Sequence, residues 1–162
     1  WLPSEKAKAA GAPAKVDVNK IEPGAMLTAE WRGKPVYIVR RTPETLDTLG
    51  TLAGRLKDPE NSNKDQQPAY ADNGYRSRKP DLLVLLGVCT HLGCAPKYFA
   101  EVKPEPFDSD WKGGWYCPCH GSRFDLAGRV FNGSPAAANL VVPPYTYESD
   151  NVLVIGVDEE SA

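Results

Sequence analysis

No stretch of this sequence stays apolar long enough to cross a bilayer: the longest such run, Leu82 to Cys89, falls far short of the roughly 20 residues a spanning helix needs. Nor does one sign of charge dominate. Nineteen Lys and Arg stand against 21 Asp and Glu, a formal net charge of -2, so the basic surplus required for counterion-release binding to nucleic acid is missing. Nucleic acid is therefore set aside as a partner. Sulfur and imidazole are scarce as well, with four Cys, two His and one Met in 162 residues. That scarcity makes their placement informative, because every Cys and His falls between Cys89 and His120.

What the chain has in quantity is punctuation. Fifteen Pro and 14 Gly favour short strands over long helices. Hydrophobic residues at 41%, charged residues at 25% and a mean hydropathy of -0.43 describe a globular protein and exclude wholesale disorder. A chain of 162 residues suits one domain with a smaller insert and buries roughly 70% of its unfolded surface. Residues 1–44 hold 8 Lys/Arg against 5 Asp/Glu, leaving 11 against 16 downstream, which reads as a mildly basic opening followed by solvated acidic faces.

The opening from Trp1 to Lys15 has small residues and Lys without apolar periodicity, and residues 1–15 read as a tether. A Trp-Leu pair followed by bases also matches the water-side end of a transmembrane helix, where Trp favours the interface. Period-two patterning then predicts strands at Val16–Val18 and Met26–Trp31, a turn at Arg32-Gly33-Lys34, and a strand over Pro35–Arg40. Thr42-Pro43-Glu44 places a cap before a proline at the first helical position, predicting one short helix from about Pro43 to Leu52. Asp58–Lys79 is polar and aperiodic, a loop either packed over a surface or mobile. Leu82–Val88 is the most apolar strand and is expected to be central. It ends on Cys89. Short strands follow at Trp115-Tyr116, Arg123-Phe124 and Arg129–Phe131, with Gly128 turning the last two, and Tyr145–Glu148 with Val152–Val157 form a closing hairpin. The expected fold class is all-β: an antiparallel base (16–88 and 141–162) built from both ends of the chain, with a smaller lobe, 89–140, inserted into it.

The lobe carries two clusters, Cys89-Thr90-His91-Leu92-Gly93-Cys94 and Cys117-Pro118-Cys119-His120-Gly121-Ser122. Two structural disulfides would leave both imidazoles unexplained, and four Cys allow three pairings among which sequence alone does not choose. A closed zinc site needs four ligands where six candidates stand. Cysteine–histidine nucleophilic catalysis needs one activated thiolate and not two mirrored sets. A [2Fe-2S] centre in which two His replace two Cys on one iron uses two thiolates and two imidazoles. The spare cysteine of each loop can then bridge the loops.

At these two boxes the chain resembles the Rieske iron-sulfur proteins, and in particular the subunit of bc1-type quinol:cytochrome c oxidoreductases. The likeness extends to the flanks: Val16–Arg41 resembles the first base strands of a β-sandwich, and Asn139-Leu140-Val141-Val142-Pro143-Pro144 the return from the cluster lobe. The resemblance implies Cys89 and Cys117 as thiolate ligands of the inner iron, and His91 and His120 as ligands of the outer iron near an exposed tip. It also implies a Cys94–Cys119 disulfide, worth roughly 3 kcal/mol by chain-entropy reasoning. A lasting disulfide implies an oxidising compartment, the periplasmic side of a bacterial inner membrane or its organellar equivalent. The tether would follow a single N-terminal membrane anchor.

The implied function is one-electron transfer inside an oxidoreductase complex, by a domain with no turnover of its own. His91 and His120 would contact quinol bound in cytochrome b and take up its proton as the electron passes inward, and the lobe would then deliver the electron to cytochrome c1. Two imidazoles in place of two thiolates raise the potential, and hydrogen bonds to sulfur raise it further. Ser122 stands where the family's serine bonds a bridging sulfide. Phe124 stands where high-potential members carry a tyrosine, and Asn132–Ala137 has one proline where two are usual, a looser cover. A Rieske-type ferredoxin of an oxygenase would ordinarily lack Cys94 and Cys119. The Rieske subunit of a periplasmic molybdenum oxidase can share that pair, but the Pro143-Pro144 flank and the tether favour the bc1 type.

Overall fold

The computed structural model describes residues 12–157. Within them are nine strands, β1 (Ala14–Asp17), β2 (Met26–Trp31), β3 (Lys34–Arg40), β4 (Leu82–Leu86), β5 (Lys97–Phe99), β6 (Gly114–Tyr116), β7 (Arg123–Asp125), β8 (Tyr145–Ser149) and β9 (Val152–Ile155), and one α-helix, α1 (Pro43–Leu49). They form three antiparallel sheets, ordered β1-β9-β8, β2-β3-β4 and β5-β6-β7. The fold is all-β apart from that helix and three short 3-10 turns. β1 begins at Ala14, inside the stretch read as a tether, and residues 1–11 of that stretch lie outside the described residues.

The expected hairpins form where turn chemistry allows. Trp31 pairs with Lys34 across Arg32 and Gly33, whose φ angles of 53° and 74° give the doubly left-handed turn that suits strand twist. β8 and β9 close around Asp150-Asn151, and β1 adds to β9 with Val16 opposite Leu153, so both ends of the chain share one sheet. In α1 the capping is reciprocal: the Thr45 amide donates to Thr42 Oγ1 at 3.2 Å, and the Thr42 amide donates to Thr45 Oγ1 at 3.1 Å.

Several expectations need correction. The helix stops at Leu49, three residues before Leu52, because Gly50 ends it and Leu52 turns inward to pack with Leu56, Trp111 and Phe131. The Leu82–Val88 strand ends at Leu86 and borders its sheet, β3 being the central strand. Its burial comes from what covers it: Leu86 N–H donates to Val141 O at 2.8 Å, and Leu85 lies under Gly128. Arg129–Phe131 forms only single bridges, Val130 to Phe124 and Phe131 to Leu56, because Arg129 turns its guanidinium inward to Asp125. The closing strand ends at Ile155 and not Val157. β5 was not expected; three residues are too few to show a period.

The 58–79 loop is packed. Arg76, fully buried, donates from Nη1 to Ala127 O at 2.9 Å and from Nη2 to Gln67 Oε1 at 3.0 Å. Arg41, just before α1, donates to Leu126 O at 2.7 Å and Tyr75 O at 2.8 Å. Both guanidiniums thus fasten the turn after β7 to the loop and to β3. That turn closes the sheet from which the second Cys/His loop hangs.

Candidate metal centre

Two loops of like construction meet at one end of the molecule. After β4, Cys89 N–H donates to Cys94 O at 2.7 Å and Gly93 N–H to Cys89 O at 3.0 Å; after β6, Cys117 N–H donates to Ser122 O at 2.8 Å and Gly121 N–H to Cys117 O at 2.9 Å. The bonding offsets are identical. So is the backbone at the fifth position, where Gly93 and Gly121 have φ of 83° and 84°, a conformation that any side chain would strain. Each loop therefore starts on a buried cysteine and carries its histidine outward.

Cys89 and Cys117 are free thiols, 3% and 1% exposed, within interacting distance of each other. His91 and His120 are exposed, their ring centroids 4.8 Å apart and nearly perpendicular. Cys94 and Cys119 form a disulfide that joins the loops. The sulfurs of Cys94, Cys117 and Cys119 lie within 4.8 Å of one another, but the disulfide takes two of them out of any ligand set. Burial pushes the Cys89 thiol above its ordinary range, while the His91 amide and the Ser122 hydroxyl act to lower it. Two inward thiols and two outward imidazoles on matched loops form a donor set that fits a two-iron cluster with sulfur ligands on one iron and nitrogen ligands on the other.

A third segment covers the loops. Ser122, fully buried, accepts the Ala136 amide on its Oγ at 2.9 Å, leaving its hydroxyl proton to donate elsewhere. Thr90 Oγ1 donates to Ala138 O, and Lys57 Nζ donates to Ser134 O at 2.6 Å and Ala136 O at 2.7 Å. Asn139 joins in from behind, accepting the Val130 amide at 2.9 Å and donating to Asp58 O at 3.1 Å. The looser cover expected from the single proline is thus countered by side-chain bonds that sequence reasoning missed. Thr90 sat in view between two motif residues; Lys57, some 30 positions upstream, gave no signal. Phe124 is fully buried in β7 opposite Trp115, in the same apolar cluster as both free cysteines.

The disulfide has a direct check. Mass spectrometry after mild alkylation of the native protein should find Cys94 linked to Cys119 and neither modified until a reductant is added. Alkylation of both in the untreated protein would contradict the structure.

The chain belongs to the Rieske [2Fe-2S] domain family, whose match spans residues 65–146. Over 160 residues it is 54% identical to the ubiquinol-cytochrome c reductase iron-sulfur subunit of Allochromatium vinosum, covering 99% of this chain and 77% of that one. It is 44% identical over 146 residues to the mitochondrial cytochrome b-c1 complex subunit Rieske-3 of Nicotiana tabacum, covering 90% of this chain and 47% of the relative, so it spans about half the length of such mitochondrial proteins. Among solved structures it resembles a chain of a hyperthermophilic respiratory Complex III, with TM-score 0.52 and 26% identity over 93% of this chain and 80% of that one. The family's cofactor is the [2Fe-2S] cluster that the donor set fits.

Proposed function

We propose that the chain is the electron-transferring part of a bc1-type quinol:cytochrome c oxidoreductase, with Cys89 and Cys117 holding one iron and His91 and His120 the other. The observation that carries this reading is the pair of exposed imidazoles, 4.8 Å apart, over two buried thiols. When bound, the cluster supplies a one-electron couple at raised potential. The protein supplies the rest. The core around Cys89 and Cys117 keeps water from the sulfurs, Ser122 donates a hydrogen bond toward them, and Phe124 leaves them one donor short of a tyrosine-bearing site. His91 and His120, at the surface, are placed to meet a quinol hydroxyl and hold its proton at an imidazole nitrogen. Exposed Leu92, 66% accessible, adds an apolar contact beside them.

In this reading residues 89–140 are the cluster lobe, residues 14–88 and 141–157 are its base, with β1 starting at Ala14, and the stretch ahead of Ala14 ties it to a membrane anchor. Cytochrome b presents the quinol and a c-type cytochrome, cytochrome c1, takes the electron. Among the described residues no helix is long and apolar enough to cross a membrane. The disulfide supports the periplasmic side, or its organellar equivalent, because such bonds persist in oxidising compartments.

The reduced protein is expected to give the rhombic EPR signal of a mixed-valence [2Fe-2S] centre, with nitrogen couplings from two histidines. Recovery of stoichiometric zinc without iron or labile sulfide would overturn the assignment.

A further inference from the structure

Lys57 lies outside both Cys/His boxes, yet its ammonium reaches the segment that closes over them. Nζ donates to the carbonyls of Ser134 at 2.6 Å and Ala136 at 2.7 Å, two acceptors flanking Pro135 that converge on one cation. Its own backbone is held by donation to Val130 O at 3.0 Å, and the neighbouring Leu56 bridges Phe131. Ala136, gripped through its carbonyl, gives its amide to Ser122 Oγ at 2.9 Å. That hydroxyl lies within hydrogen-bonding reach of the Cys89 sulfur. A continuous chain of bonds therefore runs from an exposed ammonium, through the backbone of one residue of the covering segment, to the hydroxyl facing a buried sulfur. Ser134 is tied in as well, its Oγ accepting the Arg123 amide at 3.0 Å.

We propose that Lys57 is a positioning residue that sets the reduction potential, by fixing the Ala136 backbone so that Ser122 keeps its proton directed at the sulfurs. This rests on the ligand assignment above. The sign follows from two effects that agree. Loss of the ammonium frees that backbone and lets Ser122 turn away, weakening a bond that stabilises the more negative, reduced state. It also removes a positive charge from that side of the site, although an exposed charge is strongly screened. The positioning effect is therefore the larger of the two. It requires donors at Nζ and not merely a long side chain.

The test compares the cluster-loaded parent with Lys57→Met, Lys57→Arg, Ser122→Ala and the Lys57→Met/Ser122→Ala double variant, by voltammetry with EPR as a check on the cluster. Lys57→Met should lower the reduced-to-oxidised ratio several-fold at fixed ambient potential, with the EPR signal retained. Lys57→Arg, which keeps charge and donors, should restore most of it. In the Ser122→Ala background Lys57→Met should add little, because the two residues act in series. If Lys57→Met fails to take up a cluster, Lys57→Leu, which likewise carries no donor, replaces it. A parental potential in Lys57→Met or its replacement, or a shift undiminished in the Ser122→Ala background, overturns the proposal. A parent that shows no two-histidine signal overturns the ligand assignment instead, so the two failures are distinguishable.

Discussion

His91→Ala and His120→Ala are each expected to yield a folded protein with no iron and no labile sulfide. The two histidines are exposed and stand outside the buried core, so trimming either to Cβ removes little packing, and a surface change of this kind usually moves stability by under about 0.5 kcal/mol. The effect on the cofactor is of another order. With Cys94 and Cys119 joined, the two boxes have four side chains left to bind metal, and no further free thiol or imidazole exists anywhere in the sequence. Under the proposed ligand assignment, losing one would leave one iron with a single protein ligand at the wettest point of the site. Affinity contributed by preorganised ligands is folding energy as well, so the apo-protein should also melt earlier than the loaded parent. Iron and sulfide analysis beside circular dichroism separates the outcomes. A native spectrum with a full complement of iron and sulfide in either variant would remove that histidine from the ligand set.

Those residues were legible because chemistry concentrated them. Six Cys and His in two short boxes cannot be spread over other roles, and the glycine at the fifth position of each box announces the left-handed backbone that the structure shows. The base strands were legible for a related reason: β8 alternates Tyr with polar residues, β3 and β9 are apolar runs rich in Val and Ile, and Arg32-Gly33 gives the turn between β2 and β3. What stayed hidden depends on partners remote in sequence. Leu82–Leu86 reads as central because it is apolar on both faces, but one edge is closed by Val141 and the turn at Gly128, contacts that no local pattern encodes. Tyr98 in β5 is placed by the Trp115 ring 5.4 Å away on another strand and by its hydroxyl's donation to Gly24 O at 2.7 Å. Lys57 looks like any surface lysine until the covering segment supplies two carbonyls. The same holds for Arg41, Arg76 and Arg129, whose hydrophilicity points outward while the structure buries them.

Those three arginines make Asp125 the residue whose loss should cost most stability. Asp125 is fully buried at the end of β7 and is the carboxylate that offsets them: its Oδ1 accepts the amides of Ala127 at 2.9 Å and Arg129 at 2.8 Å, and its Oδ2 accepts Arg129 Nε at 2.8 Å. Burial pushes the Arg41 and Arg76 guanidiniums down to about 10, and Asp125 is the strongest influence in the opposite direction for both. Depressed arginines mean that their charges weigh against the fold at neutral pH, and Asp125 is what counters them. Removing one partner of a buried pair typically costs about 3–5 kcal/mol, since it strands the other charge. Asp125→Ala should lose at least that much, a large share of the roughly 5–15 kcal/mol available to a domain. Asp125→Asn can still accept the two turn amides on its remaining oxygen but turns an NH2 toward Arg129, so its loss should be somewhat smaller. Lys15–Glu148 supplies the contrast, with side chains 64% and 51% exposed: Glu148→Ala should cost under about 1 kcal/mol. Denaturant unfolding of the three variants beside the parent decides the matter, and a loss below about 1 kcal/mol in Asp125→Ala would show that the buried guanidiniums are satisfied by backbone carbonyls alone.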